Sequence, residues 1–329
     1  MKTIINNSLN PYYNLALEEY VMKNVDIDED IIILWQNSPT IVVGRNQNTI
    51  GEINNEYIKN KNINIVRRTS GGGAVYHDLG NLNYTFVTKN ISENLNNYEK
   101  LTKPIIDAIN SFGVDAYFFG RNDILLDNMK ISGNAQSFYQ NKMFQHGTIL
   151  FNSDLNEIKK LLIPKNKVND SSIKSNRSAI TNIYPYLPDK ISIDEFKDRL
   201  LKFILKSNDI SKFIIELNDE DYYLINKLKK EKYESWEWNF GKNPKYSFSK
   251  EKRFIGGNII FNMEIKNEII KQIEIFGDFL GKKNASDLEK VLRGKKFIRD
   301  EIYNLLKKED VDGYFYNITV ENIIDCLFN

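Results

Sequence analysis

Cysteine, histidine, net charge and long apolar runs are all scarce in this chain of 329 residues, and each scarcity closes a class of function. One cysteine, Cys326, permits no intrachain disulfide and no multi-cysteine metal cluster, and it fits a reducing compartment. The two histidines, His77 and His146, do not stand at a metal-ligand spacing, so no zinc site is expected and no metal-ligating residue is assigned. With 45 basic and 44 acidic residues the net charge is +1, too small for a global field that would attract nucleic acid. No stretch approaches the ~20 apolar residues of a membrane span, and the first residues lack the unbroken apolar run of a signal peptide. The expectation is a cytoplasmic protein with neither nucleic acid nor a membrane as partner.

What is present is enough for a sizeable core. A hydrophobic content of 41% with 18 Tyr and 19 Phe is that of a folded protein, and the length predicts a large domain plus a small one. Asn10-Pro11 opens a helical pattern in which Tyr13, Leu17, Tyr20 and Val21 share a face and Glu18 and Glu19 fall largely off it. Residues 31–36, 40–44 and 63–68 read as strands, followed by 74–76 and 83–87. Residues 98–112 are helical in period; if the helix proper starts near Lys103, Pro104 lies in its first turn. Strands are expected at 116–119, 124–126, 130–136 and 148–151, with Asp127-Asn128 as a hairpin turn. Helices follow at 155–162, 193–205 and 219–230. Beyond Trp238-Asn239-Phe240-Gly241, residues 254–265 and 269–276 alternate like paired strands, and helices are expected at 286–292, 299–306 and 320–327. Mixed elements without a regular βαβ alternation argue an α+β fold, a large mixed-sheet domain over 1–245 and a small α/β C-terminal domain over 246–329.

Two segments carry chemistry. The first is Arg67-Arg68-Thr69-Ser70-Gly71-Gly72-Gly73-Ala74-Val75-Tyr76-His77-Asp78, between two predicted strands. Three consecutive glycines are costly in backbone entropy and serve where the chain turns tightly or approaches a ligand. Their N–H groups can form an anion-binding concavity, with the arginines supplying charge. By itself a triple glycine is more often a plain tight turn with surface arginines. A P-loop is excluded, because the G-x-x-x-x-G-K-[ST] pattern is missing and a strand, not a helix, follows. The second segment is Gly120-Arg121-Asn122-Asp123 with Lys130-Ile131-Ser132-Gly133 after the hairpin turn. Lys130, followed by small residues, could point its ammonium at a phosphate or carbonyl; alone, such a lysine is more often solvated.

The segments taken in order resemble the lipoate-protein ligase family. They are Asn14-Leu15-Ala16-Leu17-Glu18-Glu19, Gly44-Arg45-Asn46-Gln47-Asn48, the arginine and glycine segment to Asp78, Gly120 to Asp123, Lys130-Ile131-Ser132-Gly133 with Ala135, and His146-Gly147-Thr148. Ile173-Lys174-Ser175 with Arg177-Ser178, Trp236 to Lys242 with Pro244, and Phe276-Gly277-Asp278-Phe279 extend the likeness over nearly the whole chain. The resemblance implies a fold related to biotin ligases with a C-terminal accessory domain. It implies ATP and Mg2+ as nucleotide and metal, lipoate as the acid, and lipoyl-AMP as intermediate. As acceptors it implies apo lipoyl-acceptor proteins: the acyltransferase subunits of 2-oxoacid dehydrogenases or the glycine-cleavage H protein. By the same resemblance Lys130 is the catalytic lysine, meeting both lipoyl carbonyl and α-phosphate. Arg68, Gly73, Ala74, Val75, Tyr76 and Lys130 match nucleotide-binding positions, Gly72, His77, His146 and Lys130 lipoate-binding ones, and Asn122 and Asp123 polar contacts near phosphate or magnesium. A transferase of the same fold would use a cysteine thioester, but Cys326 lies outside every one of these motifs. A biotin ligase would carry a Gly-Arg-Gly-Arg-type loop, and an idle lipoate-binding protein would have lost Lys130.

Overall fold

Asn10 starts the first helix, Pro11–Asn24, by accepting hydrogen bonds at its side chain from the N–H groups of Tyr12 and Tyr13, while Pro11 fits the first turn where no donor is needed. The helix is buried on more than the face its apolar residues define: Glu18 and Glu19 are each 2% exposed. Falling off the face of Tyr13, Leu17, Tyr20 and Val21 therefore does not expose them. The helix is sandwiched, and acids inside it survive because each is hydrogen-bonded. Residues 1–26, 28–58, 61–89, 91–162, 179–240 and 248–328 are described by this structure, a computed structural model. The basic segment at 173–178 and the expected domain boundary at 245 fall outside them.

Strands β1 (Lys2–Thr3), β2 (Ile31–Trp35), β3 (Thr40–Val43), β4 (Asn64–Arg67), β5 (Val75–His77), β6 (Asn81–Thr88), β7 (Ala116–Phe119), β8 (Asp123–Leu126), β9 (Met129–Tyr139) and β10 (Lys142–Leu150) precede the C-terminal region. Seven form one sheet in the order β1-β2-β6-β10-β9-β8-β7, and β4-β3-β5 form a second. In the large sheet β1 and β2 are parallel and the other pairs antiparallel, which bears out the mixed-sheet α+β expectation. Asp127 and Asn128 take φ of +50° and +58° in the two-residue β8–β9 turn, the paired left-handed geometry of a tight hairpin.

One face of the large sheet is the apolar core. Ile32, Leu34, Tyr84, Ile124 and Ile131 pack there with Ile105 and Ile109 of helix Tyr98–Asn110 and with Phe196 and Leu200 of helix Ile193–Leu205. Each such side chain, fully buried, contributes about 1.5–3 kcal/mol. Pro104 lies inside the helix that begins at Tyr98, not in a first turn near Lys103. Asn97 caps that helix, and the burial of Leu101, Ile105, Ala108 and Ile109 offsets the lost hydrogen bond. Strand β10 begins six residues earlier than its expected start at 148, because residues 143–147 are buried and show no alternation to read.

The C-terminal region holds β11 (Phe248–Phe254), β12 (Gly257–Lys266) and β13 (Ile269–Gly277) as an antiparallel meander. Phe261, Ile273, Leu288, Phe315 and Ile323 anchor its core beneath helices Ala285–Leu292, Arg299–Leu306, Val311–Tyr314 and Val320–Phe328. The sequence missed β11, whose Ser249-Lys250-Glu251-Lys252-Arg253 stretch is polar throughout. The chain divides into two compact units. One is Met1–Val42, Ile53–Val66 and Val75–Ser235; the other joins Val43–Glu52 and Arg67–Ala74 to Trp236–Asn329. Among the described residues no helix is long and apolar enough to cross a membrane.

Candidate functional site: a polar sheet face and a glycine loop

The face of the large sheet opposite the core is where helix Pro11–Asn24 sits. Lys130 reaches this face through a register irregularity. Leu125 pairs with Lys130 and Ile124 with Ser132, so Ile131 is an extra residue. In a regular strand residues 130 and 133 would point to opposite faces; the extra residue brings them to the same one. The Lys130 ammonium then lies over Gly133, where a Cβ would stand 2.9 Å from Nζ, and pairs with Asp123 at 2.7 Å. Its backbone is fixed separately, the Lys130 N–H donating to Ala179 and the Thr181 N–H to the Lys130 carbonyl. The side chain remains 31% exposed, so a ligand oxygen can reach the ammonium.

His146 lies on the same face. It pairs in register with Ala135 and Thr85, and its Nδ1 is 3.0 Å from the Glu18 carboxylate. Glu18 also accepts from the Thr85 hydroxyl, which itself accepts from Trp35 Nε1 at 2.9 Å. A buried chain of Trp35, Thr85, Glu18 and His146 therefore orients the imidazole. His77, on β5, has Nδ1 3.0 Å from Asn37 Nδ2 and 3.5 Å from Asn83 Nδ2, and its ring meets Trp35 edge-on. Asn122 is tied to Asn134 in both directions, its side chain donating to the Asn134 carbonyl and its own carbonyl accepting from Asn134 N–H. Lys130, Asp123, His146 and His77 thus share one unit with Val75 and Tyr76.

Glu19, one residue from Glu18, faces the other way. It accepts from Lys23 at 2.6 Å, Lys232 at 2.7 Å and Tyr233 at 2.5 Å. Burial raises its carboxyl, but the two lysines and the phenol outweigh that and leave it below the ordinary carboxylate value. Burial and the same carboxylate hold the Tyr233 hydroxyl protonated. Sequence reasoning named both glutamates within the first motif but gave neither a role. The available signal was that an acid pair inside an otherwise buried helix must have partners.

Arg68, Gly72, Gly73 and Ala74 belong to the second unit. Gly72 has φ of +90°, the left-handed geometry that three glycines allow, and its N–H donates to Phe279 O at 3.3 Å. The Arg68 guanidinium donates to the carbonyls of Gly71 at 2.6 Å and Gly73 at 2.8 Å, bracing the loop from inside. Arg67 is 3% exposed and donates to the carbonyls of Gly44, Arg45, Gln47, Trp238 and Asn239. Burial pulls its pKa down to about 10, so it stays charged at neutral pH. Arg45 likewise donates to the carbonyls of Gly281 and Lys283. Gly73 is exposed, with no atom within 4 Å of where a Cβ would stand, and Ala74 is half-buried. Cys326 is 3% exposed in the core of this unit, and burial pushes its thiol up to about 11, out of the range of a ready nucleophile.

Two family descriptions match the chain: the Lipoyl protein ligase A/B catalytic domain over residues 10–205, and the Bacterial lipoate protein ligase C-terminus over 243–327. The chain is 41% identical to the lipoate-protein ligase LplJ of Bacillus subtilis, covering 100% of both chains. It is 43% identical to lipoate–protein ligase 1 of Staphylococcus aureus, over 98% of this chain and 99% of that one. Among solved structures, P. falciparum LipL1 in complex with lipoate is similar at a TM-score of 0.80 and 29% identity, over 98% of this chain and 97% of that one. A bi-partite lipoate protein ligase from Thermoplasma acidophilum, described together with its E2 lipoyl domain, matches at a TM-score of 0.62 and 25% identity, over 75% of this chain and 98% of that one. The chain is an enzyme of this type and belongs to the lipoate-protein ligase family.

Proposed function

We propose that the protein joins lipoate to MgATP as lipoyl-AMP and then passes the lipoyl group to a lysine of an apo acceptor, an acyltransferase subunit of a 2-oxoacid dehydrogenase or a glycine-cleavage H protein. In the first step a lipoate carboxylate oxygen attacks the α-phosphorus and pyrophosphate leaves. In the second the acceptor amine attacks the lipoyl carbonyl, the bond to AMP breaks, and the amine loses a proton. Both steps build negative charge on oxygens around one point, and a single cation placed there lowers both barriers. The observation that carries the reading is Lys130, whose ammonium lies over Gly133 with one carboxylate neighbour and remains open to a ligand.

In this reading Lys130 is the catalytic residue and contacts both substrates. Arg68, Gly73, Ala74, Val75 and Tyr76 hold the nucleotide. Arg68 acts at least partly through the loop carbonyls it braces. Gly72, His77 and His146 border the lipoyl group, His146 being held in one orientation by Glu18. Mg2+ would arrive with ATP and offset phosphate charge, and Asn122 and Asp123, the carboxylate beside Lys130, would be the polar groups near the phosphate or the metal. Residues 1–245 act as the catalytic domain and 246–329 as the accessory domain, and the protein works in the cytoplasm.

The test is pyrophosphate release from ATP with and without lipoate, followed by mass spectrometry of an apo lipoyl domain. Lipoate-dependent release and one added lipoyl group are expected. Release without acceptor modification would remove the transfer step; lipoylation without ATP would overturn the adenylate.

A further inference from the structure

Phe119 is 59% exposed at the end of β7, the last strand of the large sheet. Among the described residues no strand pairs with its outer edge. The chain turns beside it at Gly120, φ +63°, where a Cβ would meet nothing within 4 Å, so the corner stands open. Phe119 lies directly across from Asp123, and Asp123 directly across from Gly133, so all three project on the face of Lys130. Cross-strand neighbours have Cβ atoms about 5 Å apart, and Asp123 is ion-paired to Lys130, which places Phe119 within roughly 10 Å of the ammonium. Tyr139, also exposed on this face of β9, is six residues beyond Gly133, about 20 Å away.

The geometry points to Phe119 and the open edge of β7 as a docking point for the acceptor protein, an inference that rests on the function proposed above. A lysine arm reaches only about 6 Å from its own backbone. The folded body that carries the lysine must therefore cover the rim around Lys130 while the amine reaches the lipoyl carbonyl. Phe119 is a large apolar side chain on that rim, on the sheet face opposite the apolar core. An apolar side chain of the acceptor, close in space to its target lysine, covers the ring and the amine follows. A buried aromatic at the centre of a small transient interface carries a large share of its affinity.

Steady-state lipoylation of an apo lipoyl domain by full-length Phe119→Ser tests this. The acceptor KM is expected to rise about tenfold with kcat little changed, and Phe119→Leu to restore most of it. Lipoate-dependent pyrophosphate release, with hydroxylamine as the acyl acceptor, should match wild type. An acceptor KM within about twofold of wild type overturns the inference. So does a parallel fall in pyrophosphate release, which would place Phe119 in the adenylation site. Loss of a wild-type dimer in Phe119→Ser with unchanged acceptor KM would assign the corner to a second copy of the chain, also overturning it. Wild-type pyrophosphate release is read in the same assay: its absence overturns the proposed function and this inference together, whereas a normal wild type with an unmoved acceptor KM overturns the docking alone.

Discussion

Lys130 and Arg67 both stand in glycine-containing segments that read, in sequence, as cations for an anion, and the molecule uses them in opposite ways. Lys130 has one carboxylate neighbour, lies over a glycine and keeps 31% of its side chain exposed. Arg67 is 3% exposed and ties together the carbonyls of five residues from two other segments of its unit. The difference follows from the side chains. An ammonium on a flexible stem is a point charge that can pass from Asp123 to a ligand oxygen, whereas a guanidinium carries five donors in a fixed fork suited to irregular backbone. A cation beside a glycine loop therefore meets a ligand directly where the backbone has not claimed it, as at Lys130, and otherwise acts through the carbonyls it holds, as at Arg68.

Substitutions sharpen this contrast, because one region should lose stability and the other rate. Arg67→Ala strands several buried carbonyls and should cost about 3 kcal/mol or more in chemical unfolding, with Arg67→Lys recovering only part. A small stability change with lost nucleotide affinity would make Arg67 a ligand group instead. The glycines should divide the same way. A Cβ on Gly44 would stand 2.0 Å from the Gly72 carbonyl oxygen, so Gly44→Ala must move backbone and should cost about 1–3 kcal/mol. A Cβ on Gly133 would crowd the mobile end of Lys130 and merely touch Asp123 Oδ1 at 3.8 Å, so Gly133→Ala should barely shift the melting temperature yet slow lipoyl-AMP formation about tenfold. Equal effects on stability at the two glycines would break the comparison.

Glu19 extends the contrast to pH. Its carboxyl is held below the ordinary 4.5, so its ion pairs stabilise fully above that value and are lost as pH falls through the lower folded-state value. Glu19→Gln should cost about 1–3 kcal/mol at neutral pH, and the gap to wild type should close below pH 4.5. A gap that stays constant on acidification would mean that packing, not charge, fixes this position. The smallest effect is expected at Cys326→Ser. It should leave lipoylation unchanged and cost about 1 kcal/mol, because a hydroxyl replaces a buried thiol. A folded but inactive variant would point to a thioester route.

Local signals in the sequence reached most elements. Helices Ile193–Leu205 and Arg299–Leu306 have the expected bounds, and the Asp127-Asn128 turn has the geometry its residues favour. What escaped was set by tertiary context. Strand β10 is buried along most of its length and shows no alternation, β11 is polar, and Pro104 is tolerated because its helix is packed. In the candidate site the motifs were visible, but partners distant in sequence were not. Glu18 meets His146 across 128 residues and Arg67 meets Asn239 across 172. Nor could spacing reveal that Ile131 is an extra residue in its strand, which puts Lys130 and Gly133 on one face.

The most direct test is lipoyl-AMP formation by wild type and Lys130→Ala under identical MgATP and lipoate, with thermal unfolding read in parallel. The variant should form the adenylate about 100- to 1,000-fold more slowly while its melting temperature stays close to wild type, since the lysine is part-exposed and packs over a glycine. A folded Lys130→Ala protein that forms lipoyl-AMP at near the wild-type rate would contradict the account.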